Sequence, residues 1–454
     1  MDTLLGANLS GVFWATDDPA SQLSGKLEID ENGAATLNVE GERSILIALD
    51  ARQKFQMHGM AQGERITLFD CFTVWVPFFP TEKPVKACIA VNIVSVGAHI
   101  ENLKVPFASG LSFSTPELIR WTGLRGMMNK STQKELKVTY RGKKAKEVRV
   151  SGATFQLSTG IRESRSISEI KLIERHRVRV AFDKPQSVSE ADRWTTKICR
   201  LFSVALRCEI VCRVYTIERE TGESVRMVGP WSASNSGESK IPHPLFTRPT
   251  RRAVYEKVLR SWFAQYDRLE PVISLRVALL SHPQKFREFE FLTYIQALEA
   301  LHRRTHPARK LVTEKTYAAL HRKLADAIPS HWKQKADLVR KLEYLNEISL
   351  ADRLRDIFTH DKELLSKLFK DEGKDIALIR DARNYLTHYE GKRKETKIKA
   401  YLATGWFLYF TQKVLLLLEI EILRAIGFSA SEIRKLVEND PTYRDLCKID
   451  HSGG

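Results

Sequence analysis

The chain has 454 residues, of which 43% are hydrophobic and 28% charged, and it carries a formal net charge of +17. That length predicts two or three domains, and the composition is ordinary for a soluble globular protein with a substantial core. A membrane span is excluded, since the most apolar run, Val414-Leu-Leu-Leu-Leu418, is soon followed by Glu419 and Glu421. The start, Met1-Asp-Thr-Leu-Leu, has no basic stretch leading into an apolar one, so no secretory signal is expected. The six cysteines, at 71, 88, 199, 208, 212 and 447, form one close pair, and no second pair completes a zinc-type spacing. Reduced thiols, a cytoplasmic location, and neither metal nor cofactor are expected. The positive excess favours an anionic partner, nucleic acid first.

Taken in chain order, the first part reads as β-structure. Apolar runs recur between turn residues at Gly11–Trp14, Gly25–Ile29, Ala35–Val39, Ser44–Leu49, Ile66–Phe69 and Ala87–Ile93, with Asn32-Gly33 as a hairpin signal. This predicts a β-sandwich or a curled sheet, with Trp14, Trp75 and Trp121 in its core. Strand patterns resume at Leu136–Tyr140, Glu147–Val150, Arg177–Phe182 and Cys208–Tyr215, with a helix over Ser187–Ala205. The basic stretch Lys130–Arg149 reads as a solvated hairpin. Residues 229–249, with four prolines, read as a linker or crossover.

From Thr250 the spacing becomes helical. Val254, Val258, Leu259 and Trp262 share one face, and Phe289, Leu292, Ile295 and Leu298 share another that runs to about His302. Further helices are expected near 313–327, 332–346, 350–358, 363–369 and Asp375–Tyr389, then a long one over Thr396–Ile426 that stops at Gly427. The fold class is therefore α+β: a sandwich-like β-rich domain over 1–125, a second β-rich lobe with a helix over 126–235, and an all-α region over 250–454.

One motif carries chemistry. In Arg383-Asn384-Tyr-Leu-Thr-His388 an arginine and a histidine have four residues between them. The spacing alone is weak, since about one chance match is expected in a chain this long. Indeed Arg355-Asp-Ile-Phe-Thr-His360 repeats it. Context separates the two: Asn384 follows Arg383, the motif comes near the end of an amphipathic helix, and a long apolar helix with Trp406, Phe407, Tyr409 and Phe410 comes after it.

These residues resemble the signature of HEPN ribonuclease domains, in which Arg-Asn is the commoner opening. Phe291–His302 resembles the first helix of such a domain, whose core would span about 285–428. More specifically, the chain resembles the ApeA-like HEPN proteins of bacterial anti-phage defence. Gly11-Val-Phe-Trp14 with Leu23–Ile29, and the segment from Phe107 to Trp121-Thr-Gly123, look like landmarks of that family's N-terminal domain. The resemblance implies an abortive-infection effector that senses a phage component through its N-terminal region, a phage structural or capsid protein being the expected trigger, and then cleaves host RNA. It also implies a homodimer through the HEPN domain, with higher assembly open.

Metal-independent RNA cleavage suits the residue types. The substrate's 2′-hydroxyl is the nucleophile, and a histidine near its ordinary pKa can act as base or acid at neutral pH. Arginine can grip two oxygens of the phosphorane transition state. Asn384 can orient phosphate or ribose, and Glu299 on the first helix can hold Arg383. Lys392, Arg393, Lys394 and Lys397 can grip flanking phosphates. A transfer RNA anticodon loop fits as substrate, because single-stranded loops expose a flexible 2′-hydroxyl. On an ideal helix five residues turn about 500°, which sets Arg383 and His388 about 140° apart. Convergence within one chain therefore requires the helix to end or distort near His388, for which Gly391 is suitably placed. Three alternatives stay open: a non-catalytic HEPN module binding RNA or protein, a HEPN toxin neutralised by a separate nucleotidyltransferase antitoxin, and a carbohydrate-binding β-sandwich fused to a helical oligomerisation module.

Overall fold

Alternating burial sets the N-terminal architecture. In strands β1 (Asn8–Ala15), β2 (Asp18–Ile29) and β3 (Ala35–Gly41) the inward positions are Phe13 and Ala15, then Leu23, Leu27 and Ile29, then Ala35, Leu37 and Val39, most of them two residues apart as a pleated strand requires. The computed structural model describes residues 4–76, 84–132, 135–229, 242–282, 284, 286–388 and 395–449. Contacts divide the chain into two units, 1–264 and 265–454.

In the first unit, β4 (Phe55–Ala61), β5 (Glu64–Trp75) and β6 (Val85–Val91) join the first three strands in the order β5-β4-β1-β2-β3-β6, and β6 returns to pair with β5. Six antiparallel strands thus close on themselves. Phe13, Leu27, Leu37, Met57, Leu68 and Ile89 fill the interior, each at most 1% exposed. The expected β-rich fold is present in its curled form, as a barrel in place of two face-packed sheets.

Closure depends on a fork in β5. Its Ile66–Phe69 pair with β7 (Ile93–Val96), whereas Phe72–Trp75 pair with β6. Between them Asp70 takes a φ of +51°, and the register against β4 slips between Phe55 and Met57. Such a bulge bends a strand and raises its twist. The remaining strands are β8 (Pro106–Phe113), β9 (Met127–Ser131), β10 (Leu136–Tyr140), β11 (Val148–Val150), β12 (Ala153–Arg165), β13 (Ile170–Ser187), β14 (Val214–Glu218) and β15 (Ser224–Val228). From β7 the same sheet continues through β15, β14, β8, β13 and β12 to β11, thirteen strands in all among the described residues. Because β8 lies between β13 and β14, the sheet runs unbroken across the division expected at residue 125. β9 and β10 form a separate, largely exposed hairpin within the basic stretch.

Two expected strands are different in the structure. Ser44–Leu49 lies in helix α1 (Arg43–Asp50), where Leu46 and Leu49, one turn apart, enter the barrel core while Ile47 stays 49% exposed. The run Ile-Leu-Ile lacks the alternation a half-buried strand needs, and helical spacing wins. A short α2 (Leu118–Thr122) precedes α3 (Val188–Leu206), close to the expected helix and capped by Ser187, whose side chain accepts from the Glu190 amide. Arg207 then ends α3 at a φ of +53°, and of the expected strand Cys208–Tyr215 only Val214 and Tyr215 join the sheet. Trp121 is buried, but Trp75 is 55% exposed. None of the six cysteines is joined in a disulfide.

Helix α4 (Arg252–Ser281) begins the helical part, followed by α5 (Arg287–Thr305), α6 (Glu314–Ala327), α7 (Lys335–Leu342), α8 (Leu350–Phe358), α9 (Lys362–Leu368), α10 (Glu372–His388), α11 (Glu395–Leu402), α12 (Trp406–Ala425), α13 (Ala430–Glu438) and α14 (Pro441–Lys448). In the second unit α12 packs along α5, and α10 packs on α8, α5 and α11. The single long helix expected over 396–426 is two. Thr404 bends the chain between them: its amide and its hydroxyl both donate to Tyr401 O, three residues back. The stop at Gly427 is as expected, with φ at +97°, the Gly427 amide on Arg424 O and the Phe428 amide on Leu423 O. α13 and α14 follow where α12 was expected to be the last helix of the bundle. No helix among the described residues is long and apolar enough to cross a membrane.

The bundle interior holds charge. Arg276 and Glu419, 4% and 1% exposed, pair at 2.8 Å. Nearby in sequence to α8, His302 is buried 3.3 Å from Asp356, which also accepts from Arg309. Burial first, then the neighbouring His306 and Arg353, hold the His302 imidazole down at about 4.

Two predictions follow from these packing facts. A Cβ on Gly11 would stand 2.1 Å from Met60 O across the β1–β4 pair, so Gly11→Ala should cost about 1–3 kcal/mol, read from the denaturant midpoint. An unchanged midpoint would mean that the two strands are not so close. His302 stays neutral in the fold down to about pH 4, whereas an unfolded histidine binds its proton near 6.5. The unfolded state therefore holds more protons between those values, and stability should fall as pH drops from 6.5 towards 4. The loss should shrink in His302→Asn; an equal loss in both proteins would assign it elsewhere.

Candidate functional site

Helix α10 presents one apolar face inward, through Ile376, Ile379, Ala382 and Leu386, and so turns the motif towards the outside. Asn384, Thr387 and His388 are exposed and Arg383 is half-buried. Two neighbours hold the Arg383 guanidinium. Its Nη2 lies 3.5 Å from Glu299 Oε2 on α5, and its Nη1 donates to Asn384 Oδ1 at 3.2 Å. The Thr387 hydroxyl donates to Arg383 O at 2.7 Å. Thr387 was not singled out from the sequence; its position four residues after Arg383, on the same helical face, was the available signal.

His388 is the last described residue of α10, and the helix is regular up to it. No distortion inside the helix removes the turn of about 140° between Arg383 and His388. Asn384 and His388, four residues apart, do share a face. The bond from Arg383 to Asn384 therefore draws the guanidinium towards the histidine's side of the helix. Gly391, Lys392, Arg393 and Lys394 lie outside the described residues, as does the side chain of Lys397 within α11.

The second occurrence of the spacing serves other contacts. Arg355 donates to Asp352 at 2.6 Å on its own helix, and His360 Nδ1 lies 2.9 Å from Glu421 on α12. Groups with displaced pKa values lie away from the motif. Asp375, near the start of α10, is raised by burial, and the Tyr401 phenol is pushed up to about 12, chiefly by burial. No group of three or more metal-ligating side chains occurs among the described residues.

The arrangement offers a forked cation fixed from two sides, an amide and an exposed imidazole, all on or beside one helix. That set can bind a phosphate and exchange a proton with it. The Arg383–Glu299 pair is partly exposed, at 34% and 21% of its side chains. Glu299→Gln should therefore change stability by less than about 1 kcal/mol in urea unfolding. A loss of several kcal/mol would make the pair a structural brace.

Two family models match the chain. ApeA N-terminal domain 1 matches residues 8–262, and Apea-like HEPN matches 292–432, a span that contains Glu299, Arg383, Asn384 and His388. Neither the search of curated proteins nor that of solved structures returned a match. With one model over more than half of its length and the other over the helical part that carries the motif, the chain belongs to the ApeA-like HEPN family of anti-phage effectors.

Proposed function

We propose that this effector is a metal-independent endoribonuclease that cleaves host RNA after a phage component is sensed through the N-terminal region. The observation that carries the reading is Arg383, held by Glu299 and Asn384, one helical turn from an exposed His388 within the matched HEPN span. In this reading the substrate's 2′-hydroxyl attacks the adjacent phosphorus. His388 transfers the proton, either from that hydroxyl or to the leaving 5′-oxygen. Arg383 neutralises the phosphorane oxygens, and Asn384 orients the phosphate or ribose. The products carry a 2′,3′-cyclic phosphate and a 5′-hydroxyl.

The turn of about 140° between Arg383 and His388 supports a homodimer, in which a second copy across a twofold completes each cleft. Lys392, Arg393, Lys394 and Lys397 would supply the sequence-independent grip on the RNA backbone. A transfer RNA loop is the favoured substrate and a phage structural protein the favoured trigger.

The test expresses wild type, Arg383→Ala and His388→Ala from an inducible promoter, with and without phage, and sequences RNA ends. Wild type should produce new 5′-hydroxyl ends after infection, and each variant should lose them by about 100-fold or more. Cleavage by the purified wild type should survive EDTA. Equal protection by all three proteins with no new ends would leave a binding module in place of a nuclease.

A further inference from the structure

The N-terminal unit contains a pocket of about 430 Å³ that plays no part in the chemistry above. Its wall is formed by the segment before α2, by α2 itself, by Ile173–His176 of β13 and by the residues leading into β14. Ile119, Ile173 and Val214 give it apolar surface, and Arg175 and Arg213 give it positive charge.

Two buried polar side chains line this pocket without a hydrogen-bond partner. Thr115 is 5% exposed and its hydroxyl bonds to nothing; His176 is 2% exposed and its Nε2 bonds to nothing. Buried polar atoms in folded proteins nearly always have partners, and an exception points to a water or ligand that completes them. Finding two in the wall of one pocket is the unusual fact.

The tautomer of His176 gives the site its sign. Thr122 Oγ1 lies 2.6 Å from His176 Nδ1 and already accepts from the Leu124 amide. With that hydroxyl donating to Nδ1, the ring proton sits on Nε2. Burial lowers the His176 pKa, which keeps the ring neutral at pH 7. The one carboxylate in the wall, Glu174, is turned to the Gly126 and Met127 amides at 2.5 and 3.3 Å. The polar groups left to a ligand are thus donors: an N–H, an O–H and two guanidinium groups.

We propose that this pocket binds a small amphiphilic anion, with its carboxylate or phosphate on Thr115, His176, Arg175 and Arg213 and its apolar body against Ile119, Ile173 and Val214. The volume suits a ligand of mononucleotide size or less. Binding is assayed directly, so the inference stands or falls apart from the nuclease reading.

The test titrates the full chain with phenylacetate, phenyl phosphate and benzyl alcohol by ligand-observed NMR and thermal shift. One or both anions should bind while the neutral alcohol does not, and the tighter anion identifies carboxylate or phosphate as the recognised group. Arg213→Gln and Thr115→Val should each weaken binding about 10-fold or more. Thr115→Val removes a hydroxyl that has no partner, so its Tm without ligand should hold. The proposal is overturned if neither anion binds up to about 10 mM, if the alcohol binds equally well, or if binding is unchanged in both variants.

Discussion

Every backbone amide and carbonyl of a central strand must find a partner, and β5 meets that demand with two different neighbours along its length. β6 and β7 are nearly continuous in the chain, with Asn92 between them, and both lie antiparallel to β5. The other side of β6 is taken by β3, and the other side of β7 by β15. At Asp70 and Asn92, whose side chains approach at 3.4 Å, the sheet therefore divides into a closed ring and an open wing. A straight β5 could serve only one of these. The left-handed backbone at Asp70, rare for a residue with a side chain, is what lets one strand belong to both.

The helical unit follows a simpler constraint. α12 is buried along most of its length, including Lys413, Glu419 and Glu421, so charged groups inside the bundle need partners. Glu419 finds Arg276, and Glu421 finds His360 and Arg424. α10 by contrast buries a narrow stripe and leaves its opposite side in solvent. This division of labour separates the histidines. His302 and His360 stack through His306 inside a network of carboxylates, at centroid distances of 4.7 and 5.7 Å. His388 stands outside it, where an imidazole can reach a substrate.

Much of this was legible in the sequence because periodicity reports burial. The strands over Gly25–Ile29 and Ala35–Val39, the helix from Ser187 and the helix carrying Arg383 all show the expected spacing. What escaped depends on tertiary pairing. Ser44–Leu49 is apolar enough for either state, and only its place at the barrel core makes it a helix. Barrel closure was hidden because it rests on a pairing between β5 and β6 and on one unusual φ, neither of which has a composition. The break at Thr404 comes from a hydroxyl competing for a carbonyl within a run that otherwise reads as continuous helix. At the site, the bond between Arg383 and Glu299 was foreseen from helix faces, whereas Thr387 was not. The pocket around His176 left no mark on the sequence, because its residues come from four separated segments.

An open antiparallel sheet has two edges at which another chain could add a strand. Closure of the ring removes one of them, and the sheet's other end is guarded by economy of length. β11 is three residues long and carries the charged Arg149, while residues 143–145 continue along β12 through separate hydrogen bonds at Leu157 and Thr159. Short, charged outer strands are poor templates for self-association. A fragment that began after Val150 would lose this cover and bare β12, thirteen residues of extended backbone, to any second copy. The few residues of β11 therefore contribute little to the core, and their main effect is to keep a large sheet from polymerising.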